Sequence, residues 1–182
     1  MKVPRHLFMD TSFIKYAYKD QAFPIGCGQT ISQPYTVAFQ TQLLDVQRHS
    51  KVLEVGTGSG YQTAILVEMG AKVYTIERQR ELYIKTQSFL PSIGYKANFF
   101  YGDGYEGLES YGPFDRILVT AGGTEVPDKL KSQLKDGGKM VIPLGDSNSQ
   151  MMTRIIRKSH EEFTVTEHGR FVFVPLLKGK SI

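Results

Sequence analysis

Three carboxylates and a run of glycines carry the chemistry open to this sequence. Gly56, Gly58 and Gly60 alternate with Thr57 and Ser59 directly after the apolar run Val52–Val55. Glycine allows a sharp turn and lets a flat ligand lie against bare backbone. Glu54, just before the first glycine, offers an acid to a cationic ligand group. Glu77 closes the next apolar run, Lys72–Ile76, about 20 residues beyond Gly56, the spacing at which an acid meets a ribose in strand–turn–helix nucleotide sites. Asp103, in Tyr101-Gly102-Asp103-Gly104, follows a third such run, where a carboxylate can accept from an adenine amino group. Each feature alone has a plainer reading: tight packing for the glycines, a solvated strand end for Glu77 beside Arg78, a turn for Asp103-Gly104. Their recurrence at successive strand ends favours one adenosine-bearing ligand.

Spacing narrows that ligand. Dinucleotide sites use G-x-G-x-x-G, in which a pyrophosphate approaches the backbone and a helix N-terminus. Here the pattern is G-x-G-x-G. S-adenosylmethionine has no phosphate; it presents an adenosine, a sulfonium and an amino-acid tail, and it fits a glycine turn without a phosphate cradle. The candidate cofactor-binding residues are therefore Glu54, the turn residues Gly56, Thr57, Gly58 and Ser59, Glu77 with Arg78, and Asp103 with Gly104.

These positions need an alternating scaffold. Val52–Val55, Val73–Ile76, Ala97–Tyr101, Arg116–Thr120 and Lys139–Leu144 read as short strands bounded by Gly, Asp or Pro. Tyr61–Met69, Gln79–Leu90 and Pro127–Leu134 read as helices between them, with Pro127 in the first turn of its helix. The alternation predicts an α/β, Rossmann-like, doubly wound and mostly parallel sheet. Met151–Arg157 and Phe163–Val174 read as antiparallel strands added at one edge. One domain is expected, with residues 1–50 as a substrate-side cover and helix start, 51–145 as the cofactor-binding core and 146–182 as the C-terminal strands.

The 182 residues suit one domain of about 100–200. A net charge of +4 without a long Lys/Arg run argues against a nucleic-acid partner. The lone Cys27 excludes an internal disulfide and a cysteine-based zinc site. His6, His49, His160 and His168 lack metal-ligand spacing, so no metal is expected. No apolar stretch approaches the roughly 20 residues of a membrane helix, and no signal-type core follows the N-terminus. A cytoplasmic, monomeric protein is the expectation.

Upstream lies Pro24-Ile25-Gly26-Cys27-Gly28-Gln29-Thr30-Ile31-Ser32-Gln33-Pro34-Tyr35. Thr30-x-x-Gln33 has the form of a capping box and Pro34 suits a first helical position, so this is a helix start running to about Val46. It can also fold over the cofactor as a substrate wall. Together with Val52-Leu53-Glu54-Val55-Gly56-Thr57-Gly58-Ser59-Gly60-Tyr61-Gln62, this segment closely resembles the protein-L-isoaspartate O-methyltransferase family. Val3-Pro4-Arg5, Tyr74–Arg78, Gly102–Gly104, Pro113–Ile117, Val119–Ala121 and Phe173–Leu176 extend the resemblance over nearly the whole chain.

The resemblance implies methyl transfer from S-adenosylmethionine to the free α-carboxylate of L-isoaspartyl residues in damaged proteins and peptides. The ester then collapses to a succinimide, which initiates repair. It places the catalytic role on Ser32, cofactor contacts on Ile25, Gly26, Cys27 and Gly28, the ribose acid on Glu77, the adenine side on Asp103 and Gly104, and a further contact on Leu177. Where Cys27 stands the family often has His. Members also usually carry a helical stretch before Val-Pro-Arg, whereas here that motif begins at residue 3. The chain is then either a short member or one whose start is trimmed, and part of the substrate cover is expected to be missing.

A carboxylate nucleophile has a reference pKa of ~3.3–3.7 and needs no general base, in keeping with the lack of a Ser-His-Asp or paired-carboxylate arrangement. Other readings of the same turn remain open: another S-adenosylmethionine-dependent methyltransferase acting on a small molecule or RNA, a non-catalytic S-adenosylmethionine-binding module, and a nicotinamide-linked oxidoreductase.

Overall fold

The computed structural model describes residues 2–181. A seven-stranded sheet runs through it. Its strands are β3 (Lys51–Val55), β4 (Lys72–Glu77), β5 (Asn98–Tyr101), β6 (Phe114–Val119), β7 (Leu134–Gly145), β8 (Gln150–Arg157) and β9 (Phe163–Phe171). A small antiparallel hairpin of β1 (Phe23–Gly26) and β2 (Gln29–Ile31) precedes them. In the large sheet the order is β5-β4-β3-β6-β7-β8-β9. The first five strands in that order pair in parallel, and β8 and β9 join antiparallel. The expected class and the antiparallel C-terminal addition are what is found.

Burial explains the parallel core. Val52, Leu53 and Val55 of β3 and Ile117, Leu118 and Val119 of β6 are all buried, so both faces of these central strands must be covered. On one face, Val52, Val73, Leu118 and Val141 pack with Leu44 of α1 (Pro34–Leu44) and Leu66 of α2 (Tyr61–Glu68). On the other, Leu53, Val55, Ile117 and Met140 pack with Leu130 of α4 (Asp128–Ser132). A third cluster joins Ala64 of α2 and Leu90 of α3 (Arg80–Ser92) to Val3, Phe8, Phe23 and Ile31 of the N-terminal cover.

The differences from the sequence expectation have local causes. The opening fifty residues hold two 3-10 turns, Arg5–Phe8 and Thr11–Tyr16, as well as the hairpin. α4 is shorter than Pro127–Leu134, because Leu134 already pairs with Phe114 and opens β7. A register shift between Phe114 and Arg116 then absorbs the Gly137-Gly138 stretch. β9 stops at Phe171 rather than Val174, where the Phe173 N–H turns to donate to Gln150 Oε1 at 2.7 Å.

The capping box is not formed. Thr30 lies in β2, and Gln33 is the N-cap residue but makes no side-chain capping bond. Asp20 takes the role from a distance, its Oδ1 accepting the Tyr35 N–H at 2.9 Å. Pro34 does occupy the start of α1. No helix among the described residues is long and apolar enough to cross a membrane.

Gly60 shows how tightly the glycine turn is seated. It precedes α2 with φ +83, and a Cβ built there would lie 2.8 Å from Leu90 Cδ1 and from Thr86 Cγ2. Left-handed backbone costs a non-glycine residue about 1–2 kcal/mol and overpacking about 1–3. Gly60→Ala should destabilise the fold by about 2 kcal/mol or more, read as a lower urea midpoint at unchanged slope; an unaltered midpoint would contradict this packing.

Candidate active site

The strand order reverses direction between β3 and β6, and in open α/β sheets ligands bind at the carboxyl ends beside such a point. Parallel register places three loops there. Gly56 N–H donates to Ile76 O at 2.9 Å, and Thr120 N–H donates to Val55 O at 3.0 Å. The Thr120 hydroxyl shares its single proton between Gly56 O at 2.7 Å and Val55 O at 3.0 Å, clamping the glycine turn to the end of β6. From the β4 side, Gly58 N–H donates to Glu77 Oε2 at 2.9 Å.

A cleft of about 870 Å³, counted to its open mouth, lies over this turn. Gly56, Thr57, Gly58 and Ser59 form its floor, Glu77 and Arg78 one end, and Ile31, Ser32, Thr120 and Ala121 another part of the wall. Gly104 and Val174–Leu177 also face it. Of the predicted site residues, the structure thus gathers Ser32, the turn, Glu77, Arg78, Gly104 and Leu177 into one cleft.

The others stand elsewhere. Ile25 and Gly26 line a neighbouring hollow that shares Gly58 and Ser59 with the cleft. Cys27 and Gly28 form the bend of the β1–β2 hairpin, outside the cleft wall; Cys27 has φ +53, and its thiol donates to Glu81 Oε2 at 3.5 Å. Burial is the main cause pushing that thiol's pKa up, with the Glu81 carboxylate adding to it. Asp103 ties its own loop to the C-terminal segment: Oδ1 accepts Tyr105 N–H at 2.9 Å and Oδ2 accepts Gly179 N–H at 2.7 Å. Asp103 is not among the residues lining the cleft, although its neighbour Gly104 is.

Glu54 also departs from its expected position. Strand alternation turns its side chain away from the cleft, under the turn, where it is fully buried. The Thr63 hydroxyl of α2 donates to Oε2 at 2.5 Å, while Oε1 has no hydrogen-bond partner among the described residues. Burial pushes this carboxyl up to about 7, against the pull of the Thr63 and Thr75 hydroxyls and with the Glu77 charge adding to the rise.

Glu77 is the group best disposed toward a ligand. It is buried, and its Oε1 accepts Gln79 N–H at 2.8 Å. With Gly58 bonded to Oε2, each oxygen retains a second lone pair that a ribose hydroxyl can use. Among the described residues, Glu77 and Arg78 are the only charged ones lining the cleft, and they form no cluster of cations for a pyrophosphate. Among the described residues no group of three or more His, Cys, Asp or Glu is placed to hold a metal. A carboxyl group beside a bare glycine turn fits S-adenosylmethionine.

Two residues that sequence reasoning passed over hold the wall in place. The Arg5 guanidinium, 1% exposed, donates to Gln21 O at 2.9 Å and to Ser32 O at 3.0 Å, and also to Ala17 O. Gln40 of α1, also 1% exposed, donates to Val119 O at 3.1 Å.

The fold is the Rossmann-like fold of S-adenosylmethionine-dependent methyltransferases. The profile of the Protein-L-isoaspartate(D-aspartate) O-methyltransferase family matches residues 1–181, and the chain belongs to that family. A protein-L-isoaspartate O-methyltransferase of Christiangramia forsetii is 61% identical over 180 residues, covering 98% of this chain and 84% of that one. Its counterpart in Dictyoglomus thermophilum is 48% identical over 177 residues, covering 97% and 80%.

A solved protein-L-isoaspartate O-methyltransferase superposes with a TM-score of 0.86 at 27% identity; 96% of this chain is covered, and it spans 58% of that chain's length. A Plasmodium falciparum structure, described as a β-aspartate methyltransferase in complex with S-adenosyl-L-homocysteine, gives 0.82 at 25% identity, covering 98% and 88%.

Glu54 yields a pH prediction. A carboxyl raised in the folded state binds its proton more tightly there than in the unfolded chain, so stability falls as pH rises from the unfolded value, about 4.3, to about 7, and levels off above. The span corresponds to roughly 4 kcal/mol. Glu54→Gln should remove most of that slope, measured by urea unfolding at pH 5 and pH 8. A wild-type protein equally stable at both would refute the assignment.

Proposed function

We propose that this chain transfers a methyl group from S-adenosylmethionine to the α-carboxylate of L-isoaspartyl residues in proteins and peptides, as a cytoplasmic monomer. The observation that carries the reading is that one cleft joins the Glu77 wall to the Ser32 wall, with the glycine turn as floor between them. Family membership supports the reaction, and the lining of the cleft supports the division of labour.

When bound, S-adenosylmethionine supplies an electrophilic methyl on a cationic sulfur. In this reading Glu77 accepts the ribose hydroxyls, and Gly56–Ser59 support the donor against bare backbone. Ser32 donates its hydroxyl to the acceptor carboxylate and aims one oxygen along the line of transfer. The acceptor is ionised at neutral pH, so no residue has to remove a proton. Val37, Val55, Ala121 and Leu176 give the cleft apolar walls. Opposite charges are consumed in the step, and walls that exclude water favour it. Positioning of this kind is worth up to ~7–11 kcal/mol in favourable intramolecular cases.

The test is a labelled-methyl assay on paired isoaspartyl and aspartyl peptides. Transfer to the isoaspartyl peptide alone, with methanol released by base, is expected; transfer to neither peptide, or to both equally, overturns the proposal. Ser32→Ala should lower kcat by at least tenfold while adenosylhomocysteine affinity, read by calorimetry, stays within about twofold of wild type. Glu77→Gln should weaken that affinity roughly ten- to a hundredfold, the worth of a hydrogen bond to a charged group. Unchanged binding would remove Glu77 from the ribose.

A further inference from the structure

Arg5 carries a buried charge that its hydrogen bonds alone do not account for. The residue is 1% exposed, and every acceptor it has among the described residues is uncharged. These are the carbonyls of Ala17, Gln21 and Ser32 and the Met9 sulfur; Nε has no partner at all. A buried cation without a carboxylate on it is costly, and such charges are ordinarily paired. Burial is the main cause pulling its pKa down, with Tyr61 and Asp20 opposing, but a guanidinium starts so far above neutrality that it stays charged. Asp20 is itself exposed, so water screens its charge.

This charge stands directly behind the cleft wall. Nη2 donates to Ser32 O at 3.0 Å, and the guanidinium carbon lies 6.0 Å from the centroid of the Tyr61 ring. Ser32 and Tyr61 both line the cleft. Four covalent bonds of about 1.2–1.5 Å join the Ser32 carbonyl oxygen to its hydroxyl, so the hydroxyl lies within about 8 Å of the guanidinium. Across that distance, at an effective dielectric of about 20, two unit charges attract by up to about thirtyfold in affinity.

We propose that Arg5 selects an anionic acceptor: from behind Ser32 its charge attracts the ionised α-carboxylate of the isoaspartyl residue and does not hold the neutral methyl ester formed from it. This rests on the reading given under the proposed function. Arg5 touches neither substrate nor cofactor, so it is a positioning residue. The acceptor's negative charge is consumed during transfer, so the attraction supports binding of the acceptor and not the chemical step.

The test measures, by calorimetry with adenosylhomocysteine bound, the affinity of an isoaspartyl peptide and of its α-carboxamide twin, which lacks the charge. Wild type should prefer the carboxylate. Arg5→Met should cut that preference about tenfold, since carbonyl dipoles and Asp20 offset part of the full attraction. Arg5→Lys loses the planar fork but keeps the charge, and should hold the preference within about threefold of wild type. A purely structural role weakens both peptides alike and leaves their ratio unmoved. Asp20→Asn leaves Arg5 in place and keeps a side-chain oxygen for the Tyr35 N–H; it should raise the preference about twofold, which keeps the test valid if Arg5→Met fails to fold.

No carboxylate preference in wild type, an unmoved ratio in Arg5→Met, or a ratio lost equally in Arg5→Lys overturns the proposal alone. Where Arg5→Met does not fold, a ratio that fails to rise in Asp20→Asn does the same. Absence of methyl transfer to the isoaspartyl peptide by wild type overturns the underlying reading and the proposal with it.

Discussion

The bond from Gly58 N–H to the Glu77 carboxylate is the constraint on which the site depends. It joins the turn after β3 to the end of β4, so Glu77 and the glycine turn that line the cleft are held as one unit. The Thr120 hydroxyl does the same from the β6 side by bonding Val55 O and Gly56 O. The turn is held from both neighbours, and its glycines leave no side chain to fill the space above it. A Cβ at Gly56 would approach Thr120 Oγ1 to 2.4 Å, so the clamp and the glycine require each other.

The parallel register explains why so few residues can do this. Val55 pairs with Ile76 on one side and Val119 on the other, and the next residue on each strand reaches the same edge of the sheet. Gly56, Glu77 and Thr120 are therefore neighbours in space though far apart in sequence. Burial of both strand faces fixes that register, since a one-residue slip would turn Thr75 and Glu54 toward the opposite layer.

Much of this was legible in the chain. Apolar strands ending in Gly, Glu and Asp mark the carboxyl edge, and strand–helix alternation implies the parallel sheet. What escaped depends on side-chain direction and on distant partners. Glu54 and Glu77 are both acids near strand ends, yet one points under the turn and the other faces the cleft; only the position of each along its own strand decides. Asp103 looks free in sequence because its partner, Gly179, lies 76 residues away. The start of α1 resembled a local capping box, but the acceptor came from Asp20, which no local pattern identifies. The short β1–β2 hairpin is stabilised by packing of Phe23 and Ile31 against α2 and α3, not by its own propensity.

Arg5 gives the amino-terminal cover its coherence. Its guanidinium bonds carbonyls at Ala17, Gln21 and Ser32 and lies over the rings of Phe23 and Tyr61. Three separate stretches of backbone thus share one fastening, and the bend that bears Ser32 is immobilised before any ligand arrives. The entropy of ordering that bend is spent once, during folding, rather than again at every turnover.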